Sequence, residues 1–230
     1  MGTLAEELKD QLECKAVFSL NIPRLGTIDI NESIVVTWII MAALTVIAIL
    51  LTRNLKVKNP GKRQVALEFV VTKLQSMAED MLGEGAAQYA QYIVTVLIYL
   101  AVANLIGLCG FKPPTKDLNV TAALAIMSII LIEAAGIRAK GVKRWAKSFA
   151  EPIAIVAPLN VLEIVIRPLS LCMRLFGNVL GAFVIMEIIK HLCGLILPIP
   201  FSLYFDVFDG LIQAYVFVFL TSLFIREATE

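Results

Sequence analysis

No Gly-rich phosphate-binding loop occurs in the sequence, so nothing in it points to nucleotide hydrolysis by the chain itself. The four cysteines, Cys14, Cys109, Cys172 and Cys193, form no CxxC pair. Three of them sit in apolar surroundings and read as buried thiols, not as disulfides or metal ligands. No internal repeat and no low-complexity linker divides the chain. An excess of either charge is missing too: 20 Lys and Arg stand against 19 Asp and Glu, and a net charge of +1 gives no reason to expect nucleic acid or an acidic substrate. The basic n-region of a signal peptide is also absent, because the first apolar run starts only near Ile34, behind an acidic leader with Glu6, Glu7, Asp10 and Glu13. No cofactor, metal site or catalytic residue is expected on these grounds.

What the sequence has in abundance is apolar length. Apolar residues make up 59% of its 230 positions and mean hydropathy is +0.82, outside the range of ordinary globular domains. An uncharged run from Ile34 to Leu51 is long enough to cross about 30 Å of hydrocarbon at ~1.5 Å per residue. Four more spans are predicted at about Tyr89 to Leu108, Leu118 to Ile137, Pro158 to Lys190 and Phe201 to Ile225. The fourth is longer than a bilayer needs, which predicts a tilt or a bend at Pro168. Between the first two spans, Val65, Phe69, Thr72, Leu74, Met77 and Met81 recur at helical spacing among charges. That pattern reads as an amphipathic helix on the membrane surface, or as a soluble helix packed on a partner. The fold class expected is therefore an all-α polytopic membrane protein of one domain: an outer segment 1–33, a span 34–52, a surface helix 61–84, a hairpin 89–137 and a tilted hairpin 158–226. Basic clusters at 53–63 and 138–147 follow the first and third spans, which places both loops in the cytoplasm, the N-terminus outside and the C-terminus inside.

The last two spans carry charge where lipid-facing segments do not. The fourth holds Glu163, Arg167, Arg174 and Glu187, and the fifth holds Asp206, Asp209 and Gln213. A charge near the bilayer centre costs at least about 2.5 kcal/mol, so these groups are expected to face protein or water. Arg174 and Gln213 fall at the midpoints of their spans. Helical phase puts Glu163, Arg167, Arg174, Asn178 and Gly181 near one stripe, and Asp206, Asp209, Gly210 and Gln213 on another. Each has a structural alternative. Arg167 pairs with Glu163 one turn away, Glu187 pairs with Lys190 at the helix end, Asp206 and Asp209 wet the outer end of the last span, and Arg174 makes a salt bridge within the fold. Asn178 and Gln213 are amides of the kind that join helices. Gly177 and Gly181 form a GxxxG face beside Arg174, which admits close approach of another helix.

The stretch RPLSLCMRLFGN, 167–178, resembles the signature of subunit a of the F-type ATP synthase, the stator subunit of the membrane sector. LIQAYVF around Gln213, GFKPPTKDLNVT at 110–121 and PLNVLE at 158–163 resemble further blocks of that family in the same order. The resemblance covers the chain from the first span onward and implies a bacterial-type subunit whose last two helices curve around a ring of c subunits, with the b-subunit peripheral stalk and the rest of the complex as partners. It implies a multi-pass protein of the bacterial inner or plasma membrane that carries H+, or Na+, and has no catalytic role of its own. Arg174 matches the family's essential arginine, Asn178 its companion one turn on and Gln213 the polar partner on the final helix. Two positions depart from the pattern: Phe183 stands where many members have Glu or His nine residues after the arginine, and Asp206 where many have His or Glu seven residues before the glutamine. An outer route along Asp117, Glu187, Asp206 and Asp209 and a cytoplasmic route past Glu163 are expected, with Arg174 between them. The competing readings are a small secondary transporter or channel, which the lack of inverted repeats disfavours, and a membrane assembly protein that transports nothing.

Overall fold

A computed structural model describes residues 16–22, 26–53, 55–56, 61–109, 111–148, 157–193 and 198–229. The acidic residues Glu6, Glu7, Asp10 and Glu13, together with Cys14 and Lys58, lie outside the described residues. The chain opens on a feature that the sequence reading leaves unassigned, an antiparallel pair of strands, β1 (Ala16–Ile22) and β2 (Gly26–Asn31). Phe18 and Leu20 stand opposite Ile30 and Ile28, a period-two apolar pattern that the search for long spans passes over.

Everything after the strands is helical. Five helices are long and apolar enough to cross a membrane, over Glu32–Thr52, Gly85–Leu108, Leu118–Lys140, Pro158–His191 and Pro200–Thr229, matching the five expected spans. The elements are α1 (Glu32–Thr52), α2 (Lys62–Leu82), α3 (Ala90–Leu105, between 3-10 turns Glu84–Tyr89 and Ile106–Cys109), α4 (Leu118–Lys140), α5 (Val142–Ser148) and α6 (Ala157–Cys193). After α6 come a short α7 (Pro198–Ser202), a π-helical segment Leu203–Asp209 and α8 (Gly210–Thr229). Helix α6 passes through Pro168 without a break. Gly83 and Gly141 close α2 and α4 at φ of 73° and 78°, left-handed values that a β-carbon disfavours.

Contacts fix the direction of each helix. Asn31 donates to Asp117 and Lys112 pairs with Glu32, so α1 and α4 start at the same end of the bundle. Both then run toward the opposite end, so their basic tails fall on the same side. Thr121, near the start of α4, touches Cys172 of α6, and the two chains run antiparallel down to Trp145 and Glu133. Asn104 at the end of α3 meets Gly210 at the start of α8, and Gly83 meets Arg226 near its finish, so α3 and α8 are antiparallel as well. Helices α6 and α8 both pack on α4, and meet each other where Arg167 reaches Glu227 and lies over Phe224.

The buried layer between α3, α4, α6 and α8 includes Leu100, Ile132, Leu175, Phe217, Val218 and Ile225. Small polar residues share it. Thr221 and Ser222 donate back to the carbonyls of Phe217 and Val218 at 2.8 Å, which satisfies each hydroxyl inside its own helix and lets helices approach closely. Outward faces are apolar, with Trp38, Ile47 and Leu50 of α1 and Ile130 of α4 all exposed, as lipid in place of water permits. On α2 only Ala78 and Leu82 are buried, while Val65 and Phe69 are uncovered by protein.

Candidate functional site

The polar residues within the spans fall into two groups, those with partners among the described residues and those without. Arg167 donates to Glu163 at 2.8 Å and to Glu227 at 2.9 Å, and its guanidinium lies 4.9 Å from the Phe224 ring centre. The one-turn pairing of Arg167 with Glu163 is thus present, with Glu227 as a third member that the sequence reading did not single out. Glu187 pairs with Lys190 at 3.5 Å, the helix-end ion pair weighed above. Asp117 is buried and serves as the N-cap of α4, accepting from the Asn119 amide at 2.9 Å and from the Asn31 side chain at 3.1 Å.

Arg174, Asn178, Asp209 and Gln213 make no hydrogen bond or ion pair among the described residues. Arg174 lies at the midpoint of Pro158–His191 and is exposed, on the side of α6 that carries Ser170, Met173 and Gly177, while Leu171, Cys172 and Leu175 face the bundle. Within the described chain the salt-bridge alternative for Arg174 therefore has no partner to support it. A β-carbon at Gly177 or Gly181 would meet nothing within 4 Å, so the GxxxG face beside the arginine is open. Gln213 is different: it is 9% exposed and turned into the bundle, so it does not share the open face of Arg174.

The π-helical segment alters the stripe expected on the last span. The Gly210 amide donates to the Phe205 carbonyl five residues back, and the wider turn retards the helical phase across 203–209 by roughly a quarter-turn. Asp209 and Gln213 keep a common face, but Asp206 swings away from Gln213 and toward α3. Its Oδ1 is 3.3 Å from where a β-carbon of Gly107 would stand, so the carboxylate fits there because position 107 has no side chain. Lys190 of α6 is in electrostatic reach of it.

Near these acids lies the turn between α3 and α4. Lys116 is buried, with its ammonium 3.6 Å from the centre of the Phe183 ring. The aromatic at 183 thus receives a cation, a reversal of charge logic relative to an acid at that position. At the opposite end a cavity of about 230 Å³ is lined by Glu133, Asn160, Glu163, Arg167 and Glu227. Glu133 accepts from the Trp145 indole at 2.9 Å. Among the described residues no cluster of His, Cys, Asp and Glu has the geometry of a metal site.

Two further residues matter that the sequence reading passed over. Asn104 is buried, donates to the Gly210 carbonyl at 2.8 Å and accepts from the buried Thr115 hydroxyl at 2.9 Å. Its signal was legible: a lone amide inside an otherwise uncharged apolar span needs partners.

The family model described as ATP synthase A chain matches residues 34–226. Among similar proteins, an ATP synthase subunit a 2 of Bradyrhizobium sp. is 38% identical over 205 residues, covering 89% of this chain and 91% of its own. An ATP synthase subunit a of Moorella thermoacetica is 37% identical over 90% of this chain and 95% of its own, and one of Legionella pneumophila 32% identical over 90% of each.

Proposed function

The chain belongs to the ATP synthase A chain family, and from that membership we propose that it is the stator subunit a that gives ions access to a rotating ring of c subunits in a bacterial inner membrane. The observation that carries this reading is Arg174: a permanent cation at mid-span, on an exposed face, with no hydrogen bond or ion pair among the described residues. Such a group needs something outside the chain, and the glycines beside it leave room for a helix to come close.

In this mechanism the carried proton binds a carboxyl group on each c subunit, so the moving acid belongs to the partner. Protons enter from outside past Glu187, Asp206 and Asp209, with the capped Asp117 in the wall of the route, and load a c-ring site. After rotation they leave into the cavity lined by Glu163, Glu227 and Glu133, which opens between the basic tails of α4 and the end of α8. Arg174 lies between the two routes. Its positive charge favours the ionised form of an arriving carboxyl group, which drives release of the proton, and repels any cation that would cross directly. Asn178, one turn beyond Arg174, and Gln213, inside the bundle at mid-span, supply amides without a hydrogen bond among the described residues. Each elementary charge moved across the membrane is worth about 2.3 kcal/mol per 100 mV, which the ring conveys to ATP synthesis elsewhere in the complex. Positive loops at 53–63 and 138–147 put the Glu163 end in the cytoplasm, and α2 lies on that membrane surface.

The test is a complementation. Vesicles carrying the ATP synthase without this chain make no ATP from an imposed proton gradient, and adding the gene back restores synthesis together with co-purification of the chain and the c-ring. Equal synthesis with and without the chain contradicts the reading and favours a transport-free assembly role.

A further inference from the structure

The π-helical segment brings Asp206 against Gly107 instead of over Gln213, and something must hold a backbone conformation that an α-helix would otherwise replace. Three elements converge where the segment ends. Asn104, 5% exposed in the last turn of α3, donates from Nδ2 to the Gly210 carbonyl at 2.8 Å. Its Oδ1 accepts from the hydroxyl of Thr115, fully buried in the turn before α4, at 2.9 Å. A β-carbon at position 210 would stand 3.0 Å from the Asn104 β-carbon, so glycine there is what lets Asn104 lie this close to the carbonyl without being pushed back.

We propose that Asn104 is a positioning residue of the outer ion route: tied by Thr115, it clamps the Gly210 junction between the π-helical segment and α8, and so aims Asp206 at the Gly107 notch in the turn after α3. The bond is sheltered from water on all sides, which strengthens it and makes its loss costly. Without it the segment relaxes to α-helix, and Asp206 rotates by roughly a quarter-turn onto the Gln213 stripe, the arrangement that the sequence alone suggests. Asp209 and Gln213 keep their common face in either state. The clamp thus acts on one carboxylate of the route and not on the others. The inference rests on the route proposed above only in its functional half; the geometric half stands on the bonds at Gly210.

The experiment uses the complete ATP synthase with the four native cysteines replaced by serine, and the pair Gly107→Cys and Asp206→Cys. Positions 107 and 206 are close enough for a disulfide, and oxidation is expected to cross-link most molecules when Asn104 is present. Adding Asn104→Leu is expected to lower the yield at least severalfold. In the otherwise unaltered chain, Asn104→Leu is expected to lower passive proton flux through the membrane sector roughly tenfold with normal incorporation into the complex. Unchanged cross-linking, or unchanged flux, overturns the proposal. If Asn104→Leu fails to assemble, Thr115 decides: Thr115→Val lowers both readouts and Thr115→Ser, which keeps the hydroxyl, restores them, whereas equal values for the two overturn it. Undiminished flux with Asp206→Asn overturns the route through Asp206, while the cross-link yield still decides the clamp.

Discussion

An arginine halfway along an apolar span costs at least about 2.5 kcal/mol if it meets lipid alone, so its surroundings show what it is for. Arg167 and Arg174 are two turns apart on the same helix and have opposite solutions. Arg167 is held by Glu163, Glu227 and the Phe224 ring and acts as a tie between α6 and α8. Arg174 has no such tie among the described residues and is exposed. The acids of the proposed outer route divide in the same way, since Asp117 is used up as a helix cap and Glu187 by Lys190, which leaves, of those four, Asp206 and Asp209 without a hydrogen bond or ion pair among the described residues. Asp206 lies against Gly107, in a notch between two elements, and stands where many family members have His or Glu. Proton flux through the assembled sector is therefore expected to fall further, by about tenfold or more, with Asp206→Asn than with Asp209→Asn. Equal and negligible effects in a vesicle acidification assay would place the outer route elsewhere.

At the scale of elements, the spans were legible because twenty or so uncharged residues have few other meanings, and all five fall where the hydropathy puts them. The face assignments were legible only where the helix is regular. Ideal phase aligned Asp206 with Gln213, but LYFDVFD gives no local sign that 203–209 will form π turns. The cause is tertiary: it lies in Asn104 and Gly210, 106 positions apart in sequence. The pair of strands 16–22 and 26–31 was missed for a different reason, being short and interrupted by the polar Ser19, Asn21, Thr27 and Asp29 beside a dominant apolar signal. Glycine usage gives a test of this level. Gly210→Ala forces its β-carbon to 3.0 Å from that of Asn104 and is expected to destabilise α3–α8 packing by about 1–3 kcal/mol, read as a lower melting temperature of the purified complex. Gly177→Ala meets nothing within its own chain and is expected to leave the folded subunit unchanged, while Gly177→Leu reduces co-purification of the c-ring by crowding the open face. A stable complex with Gly210→Ala would show that the junction has more room than its geometry gives.

For the whole molecule, the contacts put the starts of α1 and α4 at one end, so the basic residues Arg53, Lys56, Arg138, Lys140 and Lys143 fall on the opposite side. The turn with Lys112, Lys116 and Asp117 is on the other side. Charge counting alone gave the same partition, with only Lys112 and Lys116 in conflict, and the conflict has a physical resolution: Lys116 is drawn in over Phe183 and Lys112 is paired with Glu32. Single cysteines at 56 and 143 are accordingly expected to react with a membrane-impermeant thiol reagent only from the cytoplasmic side, and one at 112 only from outside. Labelling of 112 from the cytoplasm would invert the orientation and exchange the two ion routes.

At this scale the proposed mechanism needs a second chain: the route from the Asp206 notch to the Glu163 cavity would be interrupted at Arg174, and a moving carboxyl group on a partner would carry the proton past it. The most direct measurement is made on inverted membrane vesicles that contain the assembled ATP synthase with Arg174→Ala, with ATP synthesis driven by an imposed proton gradient and passive proton flux after removal of the catalytic sector recorded on the same preparation. Synthesis at background level together with preserved or increased passive flux is the expected result, because the barrier is lost while both routes remain. Synthesis at the wild-type rate would contradict the role given to Arg174.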